Sequence, residues 1–386
     1  MPRISGVADL PLHEGHVPHW LAKLMLKLSK NILEVMLLEL SGEEILKRFS
    51  NPLWFQAFNN VIGMDWDSSG STTVTTAMIK NALEELRGDL RVAGGKGLTS
   101  RKTPKEIVDY GDEMGLSSTT VDQLIRVSRL EAKVDSVLLQ DGFTLYHHVL
   151  AFDRSGNWVV IQQGMNTELR LARRYHLAWF VSGDPTLEPH AGVASDNVGQ
   201  PLNLATRESV GVRRVLLDLA SDQPESTLRE LRMVNAYLKG VKTLTGLEPP
   251  RPLIRGLPYY RPVELSGRML KELREAYELR PRNIEELLLI RGLGAEVVRA
   301  LALISELIYR EPPPLKDVVT HSFSPFKYAY AVGGKDGVPY PVKKELVMTV
   351  VKELSRLVEE AKLEGKERLA ALRALRKLAP EDVSRV

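Results

Sequence analysis

Between Val134 and Gly164 the apolar residues leave the spacing of a helix and fall into short β-branched and aromatic runs. Ser136-Val-Leu-Leu-Gln, Thr144-Leu-Tyr-His-His-Val-Leu-Ala-Phe and Trp158-Val-Val-Ile-Gln-Gln are separated by Asp141-Gly142 and by Asp153-Arg-Ser-Gly156-Asn. Such separators supply the residues of hairpin turns, so the stretch predicts a meander of three antiparallel strands. Helical periods flank it. They cover residues 20–48, about 76–87 and a start at Thr103-Pro-Lys-Glu before it, then 207–219, 226–244, 264–278, 283–310 and 343–377 after it. Strands confined to one block of a helical chain predict an α+β fold.

The chain of 386 residues is long enough for two or three domains, each with its own core. Leu247 to Pro262 holds five prolines in sixteen residues, the composition of a linker or an extended wrap. The expected division is a mixed domain over 1–245 with the β-meander and a candidate active site, a proline-rich linker over 246–263, and a helical domain over 264–386.

No cysteine is present, which excludes disulfides, thiol catalysis, zinc fingers and thiolate-bound clusters and leaves oxygen and nitrogen as ligands. The formal charge of +3 is too small to announce a polyanionic partner, so a nucleic-acid function needs a local patch. Leu21 to Leu40 is apolar but interrupted by Lys23, Lys27, Lys30 and Glu34, the pattern of an amphipathic helix and not of a bilayer span. With no secretory pattern at the N-terminus, a cytoplasmic protein without a membrane partner is expected. Richness in Glu, Lys and Arg leans towards a thermophile composition.

The strongest local motif runs from Asn283 to Ile304. Leu287 and Ile290 lie on one helix face, the turn Arg291-Gly292-Leu293-Gly294 follows, and a second apolar helix begins. Two glycines around one aliphatic residue let the backbone turn tightly and leave amide groups free at the new helix N-terminus, a site for a phosphate oxygen. Arg291 and Arg299 are placed to add contacts to a sugar–phosphate backbone. This segment resembles the helix–hairpin–helix module of DNA repair proteins, which predicts a DNA partner. An ordinary αα-hairpin gives the same residues a purely structural role. Some glycosylases carrying the module have a lysine two residues after the second glycine. Glu296 stands there, while Asp317 lies near the distance expected of their aspartate.

Candidate chemistry lies mostly upstream. Asp135 and Asp141 suit a Mg²⁺ or Mn²⁺ ion, with Lys133, His147, His148, Gln162 and Gln163 on or beside neighbouring strands. His147 and His148 are consecutive in a strand and point to opposite faces. Asp141-Gly142 equally suits a plain turn. Asp65 and Asp67 form a second carboxylate pair before a Ser/Thr run, either an acid–base pair or a helix start. Gly94-Gly-Lys96-Gly and Gly333-Gly-Lys335-Asp336-Gly are glycine–lysine loops, and neither has the spacing of a nucleotide-binding P-loop, so no nucleotide cofactor is expected. Arg173-Arg174-Tyr-His suits phosphate contact and base stacking.

Taken together, Ala8-Asp-Leu-Pro-Leu-His, Asn51-Pro-Leu-Trp-Phe-Gln, Asp67-Ser-Ser-Gly, Gln140-Asp-Gly, Gln162-Gln-Gly-Met, Ala172-Arg-Arg-Tyr-His and the two glycine–lysine loops resemble a prokaryotic domain family of unknown function, number 763. The resemblance implies no catalytic residue. Where relatives have Pro-Val-Asp-Arg after the last loop, this chain has Pro341-Val-Lys-Lys. Three functions fit these residues. A metal-dependent DNA nuclease is the first, a DNA glycosylase or lyase the second, and a non-catalytic DNA-binding protein the third.

Overall fold

The computed structural model describes residues 10–11, 17, 19–64, 70–195, 197–240, 250–254 and 256–320. Asp65, Asp67, Lys335, Asp336 and the helix predicted over 343–377 lie outside the described residues.

The fold is α+β. Two strands and four helices come first: β1 (Leu10–Pro11), α1 (His19–Glu39), α2 (Gly42–Phe49), α3 (Pro52–Val61), α4 (Gly70–Leu86) and β2 (Leu90–Lys96). Helices α5 (Thr103–Met114) and α6 (Ser118–Lys133) lead to β3 (Leu139–Gln140), β4 (Thr144–Asp153), β5 (Trp158–Asn166), β6 (Leu171–Ala178), β7 (His190–Ala194) and β8 (Leu202–Asn203). Helices α7 (Val210–Ser221), α8 (Pro224–Leu238), α9 (Gly267–Leu279), α10 (Ile284–Leu289) and α11 (Ala295–Leu307) complete the described chain. Helix starts follow their side chains: Ser41 and Glu44 form a reciprocal capping box on α2, and Asn51 caps α3 ahead of Pro52.

The main sheet runs β1-β6-β5-β4-β2, with β7 also on β6, and every pairing is antiparallel. Helices cover both faces, so the central strands are apolar on both sides. Val149, Ala151, Val159 and Ile161 join α1–α4 in one core, and Leu150, Phe152, Val160 and Leu177 join α5–α11 in the other. The second core is continuous from Ala93 to Leu307 and takes in Tyr259, Tyr260 and Val263 from the proline-rich stretch.

Two local expectations are corrected. Ser136–Gln140 is not the first strand of the meander: Val134–Leu138 forms a single π-helical turn that ends α6, and only Leu139–Gln140 pairs, with β8. The meander is instead β4-β5-β6. Gly94–Lys96 is the end of β2 and not a flexible loop. Gly94 has φ of +105°, and a Cβ there would stand 2.3 Å from the His148 carbonyl oxygen, so the strands approach only because the residue is glycine.

Candidate functional site

Three pairs of identical neighbours sit on three adjacent strands: His147-His148 on β4, Gln162-Gln163 on β5 and Arg173-Arg174 on β6. Antiparallel register sets His148 opposite Gln162 and Gln162 opposite Tyr175, while His147 faces Gln163 and Gln163 faces Arg174. Each pair is therefore split between the two faces of the sheet.

On the face covered by α6 the side chains form one hydrogen-bonded chain. Ser128 Oγ lies 2.8 Å from His148 Nε2, and His148 Nδ1 lies 2.8 Å from Gln162 Oε1. Gln162 Nε2 donates to Asp135 Oδ2 at 2.7 Å and to the Glu131 carbonyl at 3.1 Å. Asp135 Oδ1 is 2.6 Å from His190 Nε2. The π-helical turn carries Asp135 inward to this position, a local widening common where a helix serves a site. Glu131 is wholly buried and neither carboxylate oxygen has a partner. Burial, reinforced by Asp135 and Asp184, pushes its carboxyl well above the usual range. Burial also lowers the His148 imidazole, against the opposing pull of its bond to Gln162.

Asp141 belongs to a neighbouring network. Its Oδ2 accepts from Arg173 at 2.8 Å and from the Tyr175 hydroxyl at 2.6 Å, and its Oδ1 accepts from the Phe143 amide. Burial raises its carboxyl although Arg173 and Tyr175 pull the other way. Arg173 also holds Asp317 through both terminal nitrogens, which ties the segment after α11 to β6.

The face covered by α3 and α4 differs. His147 Nε2 is 2.9 Å from Thr76 Oγ1, Arg174 donates to Gln56 Oε1 at 3.0 Å, and His176 Nδ1 is 2.9 Å from the Phe49 carbonyl. The Arg174 guanidinium stacks 4.7 Å from the Phe55 ring, and burial lowers it to about 9. Gln163 is fully buried with both amide atoms unpaired, and His147 Nδ1 is likewise unpaired. Burial holds the His147 imidazole down at about 3.

At the start of β4, where a bulge interrupts the register between Leu145 and His147, a pocket of about 370 Å³ opens. Ser100, Ala132, Ser136, Tyr146, His147 and His148 are among its walls. Lys96 is exposed beside it, with its ammonium 5.9 Å from the Tyr146 ring centre, and Arg101 and Lys102 are exposed in the turn after β2. Next in the chain to Ala132, Lys133 donates to the Leu293 carbonyl, and Gln140 donates to the Ala295 carbonyl at 2.9 Å. These two bonds fix the turn between α10 and α11 against the end of α6. Leu293 is fully buried as its plug, Gly292 turns the chain at φ of +88°, and Arg291 and Gly292 are exposed.

The structure thus joins Asp135, His148 and Gln162 and separates them from His147 and Gln163. Asp135 and Asp141, the pair expected to share a metal, stand in separate hydrogen-bond networks. Their oxygens are committed to His190, Gln162, Arg173, Tyr175 and a backbone amide, and among the described residues no group of three His, Asp or Glu is arranged to hold a metal ion. Arg173, Arg174 and Arg299, expected as DNA contacts, are buried. Arg299 donates to the Tyr259 and Arg261 carbonyls and pairs with Glu296, all within the protein. Ser128, Glu131 and His190 were not legible as site residues, because nothing in their local spacing marks them.

The family model described as "Protein of unknown function (DUF763)" matches residues 6–342. The chain belongs to the DUF763 family. Searches of curated proteins and of solved structures find no match. The DUF763 match contains the whole hydrogen-bonded chain, the pocket and the α10–α11 turn. Among the described residues no helix is long and apolar enough to cross a membrane.

Proposed function

We propose that this DUF763 protein binds DNA and cleaves its phosphodiester backbone at the pocket beside His148. One observation carries the reading: an exposed cationic turn adjoins the pocket, and a second is tied to the helix end that lines it. Lys96, Arg101 and Lys102 stand on the Ser100 side. Ala132 and Ser136 also line the pocket, while Lys133 between them holds the Arg291–Gly294 turn. Helix α11 begins there with no side-chain cap, so its first amides are available to a phosphate in the manner of a helix–hairpin–helix. His148, kept neutral by burial, supplies the base. The carboxylates Asp135 and Asp141 supply structure and polarisation, so this reading needs no Mg²⁺ or Mn²⁺ at that pair.

The test combines anisotropy titrations of labelled single-stranded and duplex DNA at increasing salt with cleavage assays in EDTA and in Mg²⁺. Binding that weakens with salt, and cleavage in EDTA that His148→Ala abolishes, are expected. Arg291→Ala and Lys102→Ala should each reduce the salt slope by about one unit. Affinity that does not respond to salt or to either substitution removes the DNA reading.

A further inference from the structure

We propose that Ser128 is a nucleophile, activated by His148 and positioned through Gln162 and Asp135. The directions of the hydrogen bonds fix the protons. Gln162 Nε2 faces two acceptors, the Asp135 carboxylate and the Glu131 carbonyl, so it must be the amide nitrogen and Oε1 must face the histidine. An amide oxygen only accepts, so His148 Nδ1 carries the ring proton of the neutral imidazole. Its Nε2 then presents a lone pair, and the hydroxyl 2.8 Å away donates to it. His148 is the one side chain to which Ser128 Oγ bonds among the described residues. A hydroxyl aimed at an imidazole, whose far nitrogen is held by an acceptor, has the arrangement that turns serine into a nucleophile.

The pocket adjoins this arrangement at His148. His148 lines it, and so do Ala132 and Ser136, which follow Ser128 on the same side of the helix end at four-residue intervals. Ser128 itself is buried one helical turn before Ala132.

The substrate class rests on the preceding reading and is a phosphodiester. Ser128 Oγ bonds to phosphorus as its proton passes to His148 Nε2. The bond from phosphorus to the leaving oxygen breaks, and that oxygen takes the proton from the imidazolium. The chain is left joined to the nucleic acid through a phosphoserine diester. Water then gives a proton to His148 as its oxygen bonds to phosphorus, and Ser128 Oγ departs and recovers the proton. Gln162 Oε1, backed by the Asp135 carboxylate, steadies the imidazolium in both steps. Gln162 and Asp135 are positioning residues and touch no substrate.

The experiment uses the full chain with diisopropyl fluorophosphate, followed by peptide mass mapping, and in parallel with labelled DNA quenched in denaturant. The phosphoryl adduct is expected on Ser128, formed at least about a hundredfold more slowly in His148→Ala. A denaturant-stable DNA adduct is expected in the wild type and absent in Ser128→Ala. Because the chain has no cysteine, Ser128→Cys introduces a unique thiol. Iodoacetamide should alkylate it at least about tenfold faster than the thiol of Ser136→Cys in the same pocket, since His148 favours the thiolate. Adduct on Ser128 without any turnover of DNA supports the nucleophile and removes the phosphodiester reading. DNA cleavage that survives in Ser128→Ala overturns the nucleophile and leaves the DNA reading standing. Absence of the phosphoryl adduct, or slower alkylation of Ser128→Cys than of Ser136→Cys, also overturns it.

Discussion

The two faces of the sheet present the same three residue types at nearly the same height, yet they treat them differently. Under α6, His148, Gln162 and Arg173 are each bound to named partners, and the chain from Ser128 to His190 is continuous. Under α4, the amide of Gln163 has neither donor nor acceptor satisfied and His147 keeps one bare nitrogen. A connected buried network holds its members in single orientations, while an unsatisfied buried amide costs free energy and specifies nothing by itself. The difference teaches where preorganisation lies: chemistry that requires a fixed tautomer belongs to the α6 face.

Substitutions on each face test that contrast. Arg173→Met strands the buried carboxylates Asp141 and Asp317 and should cost about 3–5 kcal/mol in urea denaturation. A loss under about 1 kcal/mol would show that the α6 face is not held by this network. Next comes the pair of glutamines. Gln162→Leu leaves acceptors on Asp135 and Glu131 and a donor on His148, a loss of about 3 kcal/mol, whereas Gln163→Leu removes two unpaired atoms and should be neutral or stabilising by about 1 kcal/mol. Equal losses from the two would erase the distinction between the faces.

Acid should act strongly on the α4 face. The folded His147 imidazole sits near 3 because of burial, while the unfolded one has the ordinary value near 6.5. Below about pH 6.5 the unfolded chain therefore binds a proton that the folded chain refuses, and stability falls as pH falls. The loss is about 2 kcal/mol between pH 6.5 and 5, from about 1.4 kcal/mol per pH unit. His148 is lowered too and adds in the same direction. Denaturation of His147→Leu at the two pH values should show a shallower slope, and an unchanged slope would place the proton uptake elsewhere. The smallest effect is at the turn. Gly292→Ala forces a methyl-bearing residue to φ of +88° and should cost about 1 kcal/mol while weakening DNA binding; unaltered affinity would leave the turn a purely structural hairpin.

Much of the fold could be read in advance. The strand block around residues 144–163, the helix start at Thr103-Pro-Lys-Glu and the tight turn at Arg291–Gly294 are signalled by short-range patterns, which act before any tertiary contact forms. β2 and β6 are not legible as strands, because glycines and paired arginines are poor strand signals when the neighbouring strands and covering helices are unknown. Ser136–Gln140 misled in the opposite sense, with apolar residues that serve a helix end instead of a strand. Closeness along the chain suggests a shared metal for Asp135 and Asp141, but spacing does not say what each carboxylate meets in the fold. Each carboxylate finds its partners on other strands or far along the chain, His190 and Gln162 for one, Arg173 and Tyr175 for the other.

By itself the sequence determined that the chain mixes helices with one antiparallel block, that it has no thiol chemistry, and that each neighbouring pair on a strand must point to opposite faces. It could not say which histidine, glutamine or arginine goes to which face. Only the tertiary structure decided that, through strand register and through which helix covers each side. The physical reason is one of range. Backbone turns and alternation are set by neighbours, whereas a buried polar side chain takes its role from whatever donor or acceptor the fold brings within about 3 Å.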